Sequence, residues 1–180
     1  MKATEIPFSG VEELLFLLDS PAEPQNQRLE IELAGALDPT RLRAAIDEVV
    51  AHHQMLRVRL RPWRQSDRRL VWEVGEELDD DPLTHISTET YADLCDARDE
   101  LLSRPFSLVR SPPFRVGLLE HGDRSHLLLV VHHTAVDGQA LLTIMRELAA
   151  AYAGQPLPPE ERRVPASDEA RGAGVARRVA

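Results

Sequence analysis

The sequence predicts an α+β fold, a two-layer sandwich in which helices pack on a mostly antiparallel mixed sheet. The first observation is the order of the periodic segments, which runs helix, strand, helix, two or three strands, helix, two strands, helix. The second is the presence of helix-capping residues before several helical segments. The third is a Gly-Asp turn between two long apolar strands near residue 122.

Composition sets the class of protein. The 180 residues are 43% hydrophobic and 28% charged, enough for one domain, or one domain and a tail, with a real core. No apolar run approaches the roughly 20 residues of a membrane span, and the absence of a secretory leader favours the cytoplasm. The net charge of −9 argues against a nucleic-acid partner. Cys95 is the only cysteine in the sequence, so disulfides within the chain and cysteine-based zinc sites are excluded. We expect it to be a small core residue.

The first helix begins at Ser9, where Ser9 and Glu12 have capping-box spacing. Residues 14–18 are apolar nearly all round, which predicts a buried helix. Pro21 and Pro24 end it.

A strand and a second helix follow. Residues 28–33 alternate between apolar and polar, and Gly35 turns the chain. Asp38 and Pro39 are a typical N-cap and first-turn residue. The core positions of this helix recur at the helical period: Leu42, Ala45, Ile46, Val49 and Val50.

The middle of the sequence is predicted as a hairpin, a loop and a short strand. Residues 56–60 and 69–74 alternate, and the polar residues 65–67 between them indicate a turn. The acidic residues 76–81 are interpreted as a solvated connection. A short strand is expected at 83–87.

A third helix is expected at 89–103. Its inward positions are predicted to be Tyr91, Leu94, Leu101 and Leu102. Two strands at 114–120 and 126–133 then flank the Gly122-Asp123 turn. The second of them is apolar on both faces, as is typical of a central strand.

The last helix is expected over residues 138–152, with Gly154 at its C′ position. Its predicted core positions are Leu141, Leu142, Met145, Leu148 and Ala149. The segment 156–180 is rich in proline, small residues and mixed charge, and we interpret it as a linker or disordered tail following a domain of residues 1–155.

The segment Val131–Gly138 carries the strongest chemical signal. An apolar strand ends in His132 and His133, and a short loop then leads into a helix through Asp137 and Gly138. Side chains alternate along a strand, so at most one of the two histidines faces a given cleft. A histidine there can accept a proton from a nucleophile, and Asp137 could orient a histidine or pair with an arginine.

Two other interpretations of these histidines stay open. Both could be hydrogen-bonded core residues at a strand end. A metal site is disfavoured: His52, His53, His132 and His133 could supply nitrogens, but no helix carries histidines at i and i+4 and no cysteine supports them, so no metal is expected.

Four segments resemble one known family in the right order, over about residues 6–153. HHTAVDG (132–138) resembles the HHxxxDG motif of the condensation-domain acyltransferases of nonribosomal peptide synthesis, whose wider superfamily resembles chloramphenicol acetyltransferase. AHHQMLRVRL (51–60) is similar to the family's RHExLRTxF motif, and RPFSLVRSPPFRVGLLE (104–120) to its Pro-Phe-rich stretch. PFSGVEELLFLL (7–18) is similar to its opening SxAQ motif.

The resemblance implies a chloramphenicol-acetyltransferase-like lobe and a role for each motif residue. His133 would be the catalytic histidine, acting as general base or positioning the nucleophile, and His132 would be structural. Asp137 would form a salt bridge with Arg57 that holds the loop. Gly138 would lie at the donor tunnel.

The resemblance also implies a reaction. The chain would be the N-terminal half of an acyltransferase that moves an acyl group from a thioester to an amine or hydroxyl, in nonribosomal peptide or related natural-product biosynthesis. It would bind no cofactor tightly. Its donor would be 4′-phosphopantetheine on an acyl or peptidyl carrier protein, or CoA. Glu12 replaces the glutamine common in the family, and Gln139-Ala140 replaces Trp-Ser, which fits the looser acyltransferase branches at least as well.

The resemblance covers one lobe of a two-lobed fold whose active-site channel lies between the lobes. We therefore expect the isolated chain to be inactive without a second lobe or self-association. The alternative hypothesis is a non-catalytic stand-alone lobe that binds a carrier protein or a partner subunit.

Overall fold

The computed structural model describes residues 4–78 and 80–159. The predicted tail therefore lies outside the described residues from position 160 onward. The strands are β1 (Thr4–Pro7), β2 (Asn26–Ala34), β3 (Val58–Leu60), β4 (Val71–Val74), β5 (Leu83–Thr88), β6 (Phe114–His121) and β7 (Arg124–His132). The helices are α1 (Gly10–Leu18), α2 (Pro39–His52), α3 (Tyr91–Ser103) and α4 (Gly138–Tyr152), with a short 3₁₀ turn at Gln54–Arg57.

The strands form two sheets. A three-stranded antiparallel sheet has the order β1-β4-β3. A four-stranded sheet has the order β2-β7-β6-β5, antiparallel except for the parallel pair β5 and β6. The predicted α+β class with a mostly antiparallel mixed sheet is confirmed. The strand β1 was not predicted, because four residues beside the chain start carry too little periodicity.

The strand β7 lies inside the larger sheet, as its two apolar faces predict. It pairs with β2 along one edge and with β6 along the other, and Gly122 makes the β6–β7 turn at φ 60°. One face packs with α2 and α4 in the main core, and the other packs against α3. At Gly117 on the α3 face, an added Cβ would lie 2.5 Å from Leu101 Cδ1, so glycine allows the helix to approach the sheet. The tightly packed β7 therefore fixes the position of the residues that follow it.

Local capping signals are confirmed. Ser9 and Glu12 form the capping box of α1. Asp38 caps α2 by accepting hydrogen bonds from the backbone N–H groups of Thr40 and Arg41. All five predicted core residues of α2 are buried. Gly154 has the positive φ of 72° expected after a helix end.

The predicted burial of α1 is wrong. Val11, Leu14, Leu17 and Leu18 are exposed, with Leu17 78% exposed, and Glu12 is the buried residue of the helix. The helix packs on the core through the opposite side, including Phe16, and no described element covers its outer face. We call Val11, Leu14, Leu17 and Leu18 the α1 apolar face.

Three further burial predictions are wrong. Tyr91 is the first residue of α3 and lies at the helix end, where it is exposed. Leu142 and Ala149 point away from the core on α4 and are also exposed. Cys95 is only partly buried and is a free thiol.

Among the described residues, no helix combines the length and apolar content needed to span a bilayer.

Candidate functional site

A cavity of about 400 Å³ lies beside the end of β7, and we call it the His133 cavity. Its walls come from the start of α1, the segment after α2, the loop between β7 and α4, and the first turns of α4. The lining residues include Glu12, His53, His133, Thr134 and Asp137. Most of the remaining wall is apolar: Val11, Leu15, Met55, Leu56, Ala135, Val136, Ala140 and Ile144. The structure therefore brings three of the four family motifs, at residues 7–18, 51–60 and 132–138, to the same cavity.

The strand end separates the two histidines, in agreement with the predicted alternation. The backbone N–H of His132 donates to the Pro113 carbonyl at 2.8 Å, and that of His133 to the Gln25 carbonyl at 2.7 Å. The chain then turns sharply, because Ala135 and Val136 both donate back to the His132 carbonyl. His132 is fully buried, whereas His133 lines the cavity.

His132 has the contacts of a structural residue. Its Nδ1 accepts a hydrogen bond from the Thr134 backbone N–H at 3.2 Å, which places the proton of the neutral ring on Nε2. That atom lies 3.4 Å from Asp19 Oδ2. Burial lowers the pKa of His132 below its ordinary value, although Asp19 acts in the opposite direction. The ring is therefore neutral at neutral pH.

His133 has the contacts of a residue available for chemistry. Its side chain is partly buried, and its Nδ1 is buried without a hydrogen-bond partner among the described residues. The neighbouring Thr134 hydroxyl oxygen is also buried and unpartnered within the same part of the chain. Buried polar groups are nearly always hydrogen-bonded, so these two atoms mark a place where a ligand group could complete the bonding.

The sequence identified Glu12 as a capping residue and as the replacement of the glutamine in the family's opening motif, but not its wider contacts. In the structure its carboxylate accepts hydrogen bonds from the Ser9 backbone N–H at 2.6 Å and from Trp72 Nε1 at 3.2 Å. The side chain is buried and forms part of the cavity wall. The Trp72 contact crosses from α1 to β4 and could not be read from local spacing. The carboxylate is thus both a helix cap and a tie between α1 and the smaller sheet.

The expected ion pair between Arg57 and Asp137 is not found in the structure. Asp137 is exposed and caps α4, where its Oδ1 accepts from the backbone N–H groups of Gln139 at 3.0 Å and Ala140 at 2.8 Å. Arg57 lines a different cavity of about 520 Å³, and its Nη1 donates to the Glu76 carbonyl at 3.4 Å. The physical reason is competition, because the unsatisfied N–H groups of a helix start bind a nearby carboxylate strongly.

Gly138 is the first residue of α4 and is exposed. A Cβ added there would lie 3.7 Å from Gln27 Oε1, which is an ordinary contact. The described surroundings therefore leave room for a small side chain.

Comparisons with known proteins point to one family. The family model described as "Condensation domain" matches residues 16–164. An uncharacterized protein of Mycobacterium tuberculosis is 34% identical over 143 residues, which cover 79% of this chain and 32% of the relative. A dimodular nonribosomal peptide synthase of Bacillus subtilis is 29% identical over 155 residues, which cover 84% of this chain and 6% of that protein.

Solved structures give the same fold. The X-domain in its complex with OxyB from teicoplanin biosynthesis matches with a TM-score of 0.72 and 24% identity, over 91% of this chain and 36% of that one. The condensation domain of the monacolin K polyketide synthase MokA matches with a TM-score of 0.72 and 18% identity, over 86% of this chain and 36% of that one.

The chain belongs to the condensation-domain family, and it corresponds to the N-terminal lobe of that fold. It spans about a third of the length of the Mycobacterium relative and of these two solved chains.

Proposed function

We propose that this chain is the N-terminal lobe of a condensation-type acyltransferase with His133 as its catalytic residue. The observation that carries the proposal is the partly buried His133, at the end of β7, which lines a cavity and has an unpartnered ring nitrogen. The reaction would move an acyl group from a phosphopantetheine or CoA thioester to an amine or hydroxyl. The family supports such chemistry in nonribosomal peptide or related natural-product biosynthesis.

The proposed acyl transfer needs a general base and a cavity from which water is excluded. A ring nitrogen of His133 accepts the proton of the attacking amine or hydroxyl. The amine nitrogen or hydroxyl oxygen meanwhile bonds to the thioester carbonyl carbon. The carbon–sulfur bond then breaks, and the departing thiolate recovers a proton from the imidazolium. The product is an amide or an ester and a free thiol. In the completed cleft, the apolar wall formed by residues such as Leu15, Met55 and Ile144 would help to exclude water that hydrolyses the thioester.

Neighbouring residues hold this geometry. His132 fixes the turn after β7 through its hydrogen bond from Thr134. Asp137 fixes the start of α4, and Gly138 leaves the open approach that a donor arm would use.

A second lobe or another copy of the chain would complete the cleft. The α1 apolar face supports this part of the proposal, because α1 borders the His133 cavity and exposes four large apolar residues. Soluble proteins rarely leave such patches uncovered. A phosphopantetheinylated carrier protein, or CoA, would deliver the donor to the completed cleft.

The same exposed face supports the alternative of a non-catalytic lobe that docks a carrier protein or partner subunit. The two functions differ in one respect. Only the enzyme needs His133.

The test is acyl transfer by the two-lobed assembly. A carrier-protein thioester and an amine acceptor are supplied, and the amide is measured by mass spectrometry. We expect His133→Ala to lower the rate by roughly 10²–10⁴-fold, the scale of a lost acid–base group. His85→Ala is the matched control, because His85 pairs with Glu120 on β6, away from the cavity lining. Equal transfer rates for the wild-type and folded His133→Ala assemblies would reject His133 as the catalytic residue, and no transfer by the wild-type assembly would reject the enzymatic function and favour docking.

A further inference from the structure

Three side chains that could bind a metal meet where the end of α2 approaches α4. Nε2 of His53 is hydrogen-bonded to Oε2 of Glu147, and Nε2 of His52 lies 3.9 Å from that same oxygen. The three donor atoms all lie within 4.8 Å of one another. We call His52, His53 and Glu147 the His-His-Glu cluster.

The end of a helix makes this convergence possible. Consecutive residues inside a helix point about 100° apart, so two adjacent histidines would ordinarily face different neighbours. The helix α2 ends at His52, and His53 leaves it with an extended backbone of φ −106° and ψ 101°. Both rings therefore reach the same carboxylate.

Glu147 is unusual for its position. It lies on the core side of α4 beside Ile144 and Leu148 and is only 6% exposed. A buried carboxylate is costly unless it is paired or binds a metal. One carboxylate oxygen facing two imidazoles meets that requirement.

We propose that the His-His-Glu cluster binds a divalent transition-metal ion, with zinc as the best match. Two imidazole nitrogens and one carboxylate oxygen are a known zinc donor set, which leaves a fourth position open for water or another ligand. Imidazole donors favour such ions over magnesium and calcium. The sequence did not predict this site, because Glu147 lies far along the chain and the two histidines lack helical metal-site spacing.

The geometry needs a modest side-chain adjustment. Donors at about 2.1 Å from a tetrahedral zinc ion lie about 3.4 Å apart, so side-chain rotation must close the widest separation by up to about 1.4 Å and must open the hydrogen-bonded His53–Glu147 pair. His52 and His53 keep 14% and 26% of their side-chain surface exposed, which leaves an entry path and room to rotate. His53 also lines the His133 cavity, so the ion would lie at its edge and tie α2 to α4.

Binding can be measured on the whole chain without any assay of activity. The protein is freed of metal with a chelator and titrated with zinc chloride by calorimetry, and with cobalt chloride by visible absorption. We expect one ion per chain, the intense visible bands of four-coordinate cobalt, and a rise in the unfolding temperature with zinc. Loss of one ligand in His52→Gln, His53→Gln or Glu147→Gln should weaken zinc binding at least about 10-fold.

Two controls locate the site. His85→Gln alters a histidine–glutamate pair outside the cluster, and His133→Gln alters the other histidine of the cavity. Both should bind zinc as the wild type does. The proposal is overturned if the wild type shows no saturable binding at micromolar zinc. It is also overturned if folded Glu147→Gln and His52→Gln retain wild-type affinity, since binding would then lie elsewhere.

Discussion

His132 and His133 are adjacent in the sequence and differ in burial and in access to the cavity. His132 is fully buried, with Nδ1 accepting from the Thr134 backbone N–H and Nε2 at 3.4 Å from Asp19 Oδ2, whereas His133 is only partly buried and lines the cavity. The alternation of a strand produces this difference, and the sharp turn after β7 preserves it.

The buried His132 should make the protein less stable in mild acid. Its pKa in the folded state is lowered from 6.5, chiefly by burial, so the unfolded chain takes up this proton first. Stability is then full above about pH 6.5 and falls as the pH drops toward the folded-state pKa. His132→Asn keeps an acceptor for the Thr134 N–H and removes the titration.

Urea unfolding of the wild type and His132→Asn at about pH 7 and about pH 5.5 measures this contribution. The variant should lose less stability between the two pH values than the wild type does. An identical loss in both proteins would show that His132 does not titrate differently on unfolding.

Glu12 should stabilise the fold through its two hydrogen bonds. Glu12→Ala leaves the Ser9 N–H and the Trp72 indole N–H without this acceptor, and each such loss costs about 1–3 kcal/mol when the group stays buried. Glu12→Gln keeps an acceptor oxygen and should cost less. Thermal unfolding measures the loss of stability in both variants. Equal losses in Glu12→Ala and Glu12→Gln would contradict a role for the acceptor oxygen.

At the scale of the element, Asp137 should act as a helix cap and not as a buried ion-pair partner. Asp137→Ala should lower the free energy of unfolding by about 0.5–2 kcal/mol, the range for a lost N-cap, and Asp137→Ser should recover most of it. A buried ion pair losing one member would cost about 3–5 kcal/mol. Urea unfolding of the two variants measures the difference.

A double-mutant cycle separates the two roles. Asp137→Ala and Arg57→Ala should be additive within about 0.5 kcal/mol, because the two side chains belong to different cavities. A coupling energy well above that value would restore the ion pair that the family resemblance implies.

How much of the structure could be predicted depends on the range of each interaction. The helices α2 and α4 and the β6–β7 hairpin follow from local periodicity and caps, and they are found where they were predicted. Strand alternation predicts that at most one of His132 and His133 faces the cavity, and the choice of His133 came from the family resemblance. The exposure of α1, the Trp72–Glu12 contact and the His-His-Glu cluster depend on which elements meet in space, and no local pattern reports that.

At the scale of the whole molecule, the α1 apolar face should govern association. Leu17 is 78% exposed, so Leu17→Lys should change stability by no more than about 0.5 kcal/mol. The same change should weaken binding to a second lobe, or self-association of the chain. Light scattering over a range of protein concentration measures the second effect, with Glu13→Lys on the same helix as the charge control. A wild-type chain that stays monomeric and does not bind a second lobe would contradict the proposed interface.

The most direct test of the proposed function is a comparison of acyl transfer by the chain alone and by the chain joined by a second condensation-domain lobe. A carrier-protein thioester and an amine acceptor are present in both reactions, and amide formation is followed by mass spectrometry. We predict turnover only in the two-lobed reaction, and its loss in the same reaction with His133→Ala. Efficient transfer by a dilute, strictly monomeric chain, or full activity of the His133→Ala assembly, would contradict the proposal.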